Sequence, residues 1–164
     1  MIRPVTLFCS VLEMIKKITV SLEQELRLRR SFEFGAYLLI TRYLVKTYGI
    51  NELRKFARFW AETAASPERR SIVARSKQEF LAFEAKVEKV WVGREVEKLD
   101  NEGYVGLVKE CMIRSMSNKY RENLPADYFC NNICSIIYPD TYKLLGFKSS
   151  IERANKGCRL ITEC

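Results

Sequence analysis

The sequence predicts an α+β protein, an N-terminal helical layer packed on a small antiparallel sheet made of two hairpins with a short helical insert. Three observations carry this reading. Apolar residues recur at helical spacing through residues 21–87. From Val90 onward the pattern turns to β-branched and alternating residues, interrupted by turn chemistry at Asp100, Asn101, Glu102, Gly103 and again at Asn155, Lys156, Gly157. The order, helices first and strands afterwards, belongs to α+β rather than to alternating α/β. With 164 residues, 48% of them apolar and 29% charged, the chain suits one domain over 1–164. It divides into a helical half, 1–88, and a sheet half, 89–164, which holds a cysteine cluster.

The elements follow in order. Ser21 with Gln24 resembles a capping box and opens a helix that runs to Tyr48, where Gly49 supplies a stop. Asn51 is placed to cap the next helix, which carries Leu53, Phe56, Ala57, Phe59 and Trp60 on its apolar stripe. Ser66 and Pro67 start a third helix that continues to about Val87. Residues 90–99 and 104–113 read as the strands of a first hairpin, and residues 150–154 and 158–164 as those of a second. Between the hairpins, residues 127–137 and 139–145 read as two short helices that Pro139 separates and Gly146 ends.

The apolar stretch 34–45 is interrupted by Thr41 and Arg42 and is too short to span a bilayer. The N-terminal run 5–12, after Arg3, is read as part of a helix, because Glu13, Lys16 and Lys17 break it and no small-residue cleavage site follows. The expected location is therefore cytoplasmic, with no membrane partner. The net charge of +8 divides into +7 over residues 1–80 and +1 over residues 81–164. Its basic residues are scattered, and Arg27, Arg29 and Arg30 are flanked by Glu23, Glu25 and Glu33, so a solvated helical face is expected rather than a nucleic-acid partner. The aromatic-rich face of the first long helix offers a surface for a homodimer, although a bundle core would use the same residues.

Six cysteines in a reducing compartment point to metal binding or thiol chemistry more than to disulfides. Cys111 falls late in the second expected strand, on the face of Val105, Leu107 and Ile113. Cys130 and Cys134 are four apart, which places both on one side of a helix, and Cys158 follows a turn glycine. Cys164 lies roughly 20 Å further along an extended strand. It is set aside, as is Cys9 among its apolar neighbours. Cys111, Cys130, Cys134 and Cys158 remain as a candidate set of four thiolates for zinc or an iron–sulfur cluster. The alternative is that these thiols simply pack as small hydrophobes.

Histidine is absent, which excludes Ser-His-Asp and Cys-His machinery and histidine-ligated metals. A nucleophilic cysteine would need Lys, Arg, a helix N-terminus or a metal to lower its pKa. The acid–base groups near the cluster are Glu110, Asp127, Asp140, Tyr104, Tyr128 and Tyr138. Asp127 is also suited to capping, Glu110 to solvent and the tyrosines to packing. No phosphate loop or nucleotide fingerprint is present.

These residues also carry a family resemblance. Glu97, Gly103, Val108 and Cys111, then Asp127-Tyr128-Phe129-Cys130 and Cys134, then Ile151-Glu152-Arg153 and Gly157-Cys158-Arg159-Leu160, resemble the L-2-amino-thiazoline-4-carboxylic acid hydrolase family. More distantly, the closing turn and its cysteine are similar to 4-vinyl-reductase-type small-molecule-binding domains. The first resemblance implies hydrolysis of a carbon–nitrogen bond in a small cyclic amidine such as a thiazoline, with Cys111, Cys130, Cys134 and Cys158 at the family's cysteine positions. Two functional expectations follow. One is a hydrolase using a cysteine-bound metal or an activated thiolate. The other is a non-catalytic sensor or small-ligand-binding module that a metal or cluster stabilises.

Overall fold

In the computed structural model, which describes residues 22–119, 126–154 and 156–164, four helices come first: α1 (Leu22–Tyr48), α2 (Ile50–Ala64), α3 (Pro67–Arg75) and α4 (Lys77–Val92). The hairpin of β1 (Glu95–Leu99) and β2 (Gly103–Val108) follows, then α5 (Met112–Lys119) and α6 (Ala126–Phe129). A π-helical turn over Cys130–Cys134 leads into α7 (Ser135–Leu144), and the hairpin of β3 (Lys148–Arg153) and β4 (Cys158–Glu163) closes the chain. The fold is α+β as expected, mostly helical with one small antiparallel sheet of order β1-β2-β4-β3. The N-terminal run 5–12, Cys9 and Ser21 lie outside the described residues. Among the described residues no helix is long and apolar enough to cross a membrane.

Local chemistry explains the boundaries, including those that differ from the sequence reading. Asn51 does not cap α2: Gly49, at φ 84°, turns the chain within one residue, so α2 starts at Ile50. Ser66 caps α3 as expected, its Oγ accepting the Arg69 N–H at 3.4 Å with Pro67 in the first turn. The single helix expected to reach Val87 is two, because Ser76 adopts an extended conformation and its Oγ accepts the Glu79 N–H at 3.2 Å. Ser76 with Glu79 has the spacing of a capping box. Val90, Trp91 and Val92 belong to α4 rather than to a strand, and Gly93 in the left-handed region ends that helix. Strand propensity yields here because Phe80, Leu81 and Ala85 pack α4 on the sheet.

Strand β2 stops at Val108, not near Ile113. Its partner β4 begins at Cys158, opposite Val108, so the ladder has no further residues to pair. Tyr104, Gly106 and Val108 face inward, and Val105 and Leu107 take the less buried face. Pro139 does not separate two helices and lies within α7. Its missing N–H would have served the carbonyl of Ser135, the first residue after the π turn, where the hydrogen-bond ladder is already changing register.

Two apolar clusters form the core. Phe80, Leu81, Tyr104, Tyr142, Phe147 and Leu160 join α4 and α7 to the sheet. Leu53, Ile113, Phe129 and Ile133 join α2, α5 and the π turn, with side chains of α1 against them. On α2 the buried residues Leu53, Ala57 and Ala61 recur every four residues, as one helix face requires. A cavity lies between the two clusters.

Candidate functional site

A cavity of about 500 Å³ opens between the helices and the inner edge of the sheet. Phe34 and Tyr37 of α1, Trp60 of α2, and Phe83, Val87 and Trp91 of α4 supply much of its apolar wall. All four candidate cysteines line it, although they come from four different places in the fold. Cys111 precedes α5, Cys130 and Cys134 bound the π turn, and Cys158 opens β4. The excluded Cys164 is exposed beyond the end of β4.

Cys111 is held at both sides of its backbone. Its N–H bonds the Lys156 carbonyl at 3.0 Å, and its carbonyl accepts the Ser115 N–H at 3.0 Å, the first bond of α5. The residue therefore stands at the helix N-cap, where the side chain faces unpaired backbone donors. Its thiol accepts a hydrogen bond from Cys130, and the N–H groups of Ile113 and Arg114 add to it. Together these outweigh burial and bring the Cys111 pKa down to about 6.

The other three thiols are pushed the opposite way. Cys130 donates to Cys111 and is partly buried, and both effects raise its pKa. Burial raises Cys134. Burial also raises Cys158, against the opposing influence of Arg94, which donates to its sulfur. Gly157 allows β4 to approach this point: a Cβ there would lie 1.6 Å from the Val108 carbonyl oxygen.

The floor of the cavity is ionic, and the sequence reading did not single it out. Glu84 and Glu88 lie one turn apart on the inward face of α4, beside Phe80, Leu81 and Ala85. Arg69 pairs with Glu84, and Arg94 with Glu88 at 2.5 Å. The Tyr142 hydroxyl donates to Glu84 at 3.4 Å and that of Tyr138 to Glu88 at 3.5 Å. Arg94 lies over the Tyr138 ring, 4.7 Å from its centre. Its aliphatic stem passes Gly106, where a Cβ would come within 2.4 Å of Arg94 Cδ.

Burial raises both carboxyl pKa values, against the pull of Arg69 on Glu84 and of Arg94 on Glu88. Burial opposes the charge of Arg94, but Tyr138 and Glu88 more than offset this and its pKa rises. Two glutamates on an apolar helix stripe were the sequence signal for this cluster, since a charge is rarely buried unpaired.

The remaining sequence candidates are dispersed. Glu110 is exposed, as expected. Asp140 is half-buried in α7 and does not line the cavity. Tyr104 is fully buried in the core, its hydroxyl without a hydrogen-bond partner among the described residues. Tyr128 packs against the second apolar cluster, and Tyr138 alone of the three tyrosines reaches the cavity. The Asp127 side chain lies outside the described residues.

Among the described residues, no group of three or more Cys, Asp or Glu side chains is arranged to hold a metal ion. The four sulfurs share a cavity without converging on one point within it. Comparison with known proteins gives no match, whether to a family model, to a curated protein or to a solved structure.

Proposed function

We propose that the chain takes a small, largely apolar heterocycle into this cavity and hydrolyses a carbon–nitrogen bond of a cyclic amidine or thiazoline, with Cys111 as nucleophile. The supporting observation is the position of Cys111: a cavity thiol at a helix N-terminus, hydrogen-bonded by Cys130, with its pKa brought down to about 6. A thiolate is the nucleophilic form of cysteine, and at neutral pH this one is mostly ionised. In the first step its sulfur bonds to the amidine carbon and the carbon–nitrogen bond breaks. The departing nitrogen takes the proton of the neighbouring Cys130 thiol. Water then displaces sulfur from the carbon: its oxygen bonds to the carbon, its proton returns to Cys130, and Cys111 leaves as the thiolate it began as. The apolar wall excludes bulk water from the first step, and the paired Glu84–Arg69 and Glu88–Arg94 groups hold the floor in place.

The test is hydrolysis of 2-aminothiazoline probes by the purified full-length chain, followed by product mass. Turnover that vanishes in Cys111→Ser is expected. Equal turnover in that variant would overturn the role of Cys111, and no turnover with any cyclic amidine would overturn the hydrolase reading.

A second reading has its own support, four soft sulfur donors around one cavity. In it the protein is a metal- or cluster-binding sensor or ligand-binding module, with zinc or iron held by Cys111, Cys130, Cys134 and Cys158 after their side chains rearrange. Elemental analysis of anaerobically purified protein distinguishes the readings. About one zinc or iron per chain, lost in the Cys130→Ser, Cys134→Ser double variant, favours the second. Either reading suits a reducing compartment such as the cytoplasm. Leu28, Phe32 and Leu39, exposed along α1, suit a homodimer contact, which sedimentation would detect.

A further inference from the structure

We propose that Cys111 and Cys130 form a reversible redox pair: a hydroperoxide oxidises Cys111, and Cys130 closes a disulfide onto it inside the cavity. The geometry supports this pairing over the other thiols. Cys111 and Cys130 are hydrogen-bonded to each other, both line the cavity, and both are partly exposed. Cys158 is instead engaged by Arg94. Cys134 closes the π turn that Cys130 opens, and among the described residues no thiol hydrogen-bonds to it. Single π turns are frequent at functional sites, and here the turn sets where the Cys130 side chain emerges.

The chemistry balances with one hydroperoxide. The Cys111 thiolate attacks the distal peroxide oxygen, a sulfur–oxygen bond forms, and the oxygen–oxygen bond breaks. The alkoxide or hydroxide that leaves takes up the proton released by Cys111, and the product on the protein is a sulfenic acid. Cys130 then attacks that sulfur. A sulfur–sulfur bond forms, the sulfur–oxygen bond breaks, and water departs with the Cys130 proton. Overall, two thiols and one hydroperoxide give a disulfide, an alcohol or water, and a further water. The bond would tie the N-terminus of α5 to the π turn and remove the free Cys111 sulfur from the cavity.

The experiment uses the reduced full-length chain, one equivalent of hydrogen peroxide, alkylation of residual thiols and peptide mass mapping. The expected result is a Cys111–Cys130 crosslink with loss of two free thiols, reversed by dithiothreitol. Cys130→Ser should stop at a sulfenic acid on Cys111 that dimedone traps, whereas Cys134→Ser and Cys158→Ser should still crosslink. Circular dichroism confirms that each variant folds, and mapping of the unaltered chain decides the matter if one does not. Six free thiols after treatment, a disulfide lacking either residue, or one formed only between chains would overturn the proposal. The readout is covalent mass, so its failure is distinct from failure of the hydrolase reading.

Discussion

The two polar clusters of the cavity differ in how their charges are met. On the floor, Glu84 and Glu88 each face an arginine and a tyrosine hydroxyl. Across the cavity, four thiols have one another, a few backbone N–H groups and one guanidinium. In the ionic cluster each carboxylate has its own cation, which is what permits charge to be buried, although Arg94 Nε is buried without a hydrogen-bond partner among the described residues. The thiol cluster is unevenly matched, and its stabilisation falls on one member, Cys111. Burial therefore acts alike on both clusters, and the asymmetry in partners lies on the sulfur side.

The strongest way to break this contrast is to remove an ionic partner. Arg94→Met leaves Glu88 buried without its cation and should cost ~3–5 kcal/mol by denaturant unfolding. A loss near zero would show that the pair contributes little. Gly106→Ala should follow, at about 1–3 kcal/mol, since its Cβ would overlap both Arg94 Cδ and the Tyr104 hydroxyl and the core would have to shift.

The pH dependence of stability sharpens the same point. The folded pKa of Glu88 is raised by burial, so the folded state binds its proton more tightly than the unfolded one. The associated stability is present below the ordinary carboxylate pKa and is lost as pH rises through the raised folded value. Glu88→Gln should therefore flatten the decline of stability above about pH 4.5 relative to the unaltered chain. An unchanged slope would mean that Arg94 holds Glu88 fully ionised.

On the thiol side the expected effects are chemical rather than structural. Iodoacetamide labelling of Cys111, followed by mass mapping, should rise with pH around a midpoint of about 6, and Cys130→Ala should move that midpoint upward by removing the leading hydrogen bond. A midpoint unchanged in the variant would assign the effect to the helix N-terminus alone. The smallest effect is expected at the exposed Arg159–Glu97 pair on the sheet surface, 2.7 Å apart, where Arg159→Ala should leave the unfolding midpoint unmoved within error.

Much of this organisation was legible as local chemistry. Gly49, the Ser66-Pro67 start and the turn between β1 and β2 appear where they were read. The four candidate cysteines line one cavity, yet among the described residues no three of them are arranged to hold a metal ion. Other features were present in the sequence but outweighed in the reading. Ser76 and Glu79 form a capping pattern inside what looked like one helix, and the β-branched run at Val90 disguised the last turn of α4.

The sequence by itself determined the class of the fold, its order of helices before strands, and the residues that could supply soft ligands or nucleophiles. These follow from periodicity, capping and turn residues, which act within a few positions along the chain. The tertiary structure alone decided which thiol has its pKa lowered, and which arginines meet Glu84 and Glu88. It also decided that β2 ends before Cys111. Each depends on partners far away in sequence: Lys156 for the Cys111 backbone, Cys130 for its thiol, Cys158 for the end of the ladder. Hydrogen bonding and desolvation are set by what a side chain meets in space, and no local pattern encodes that.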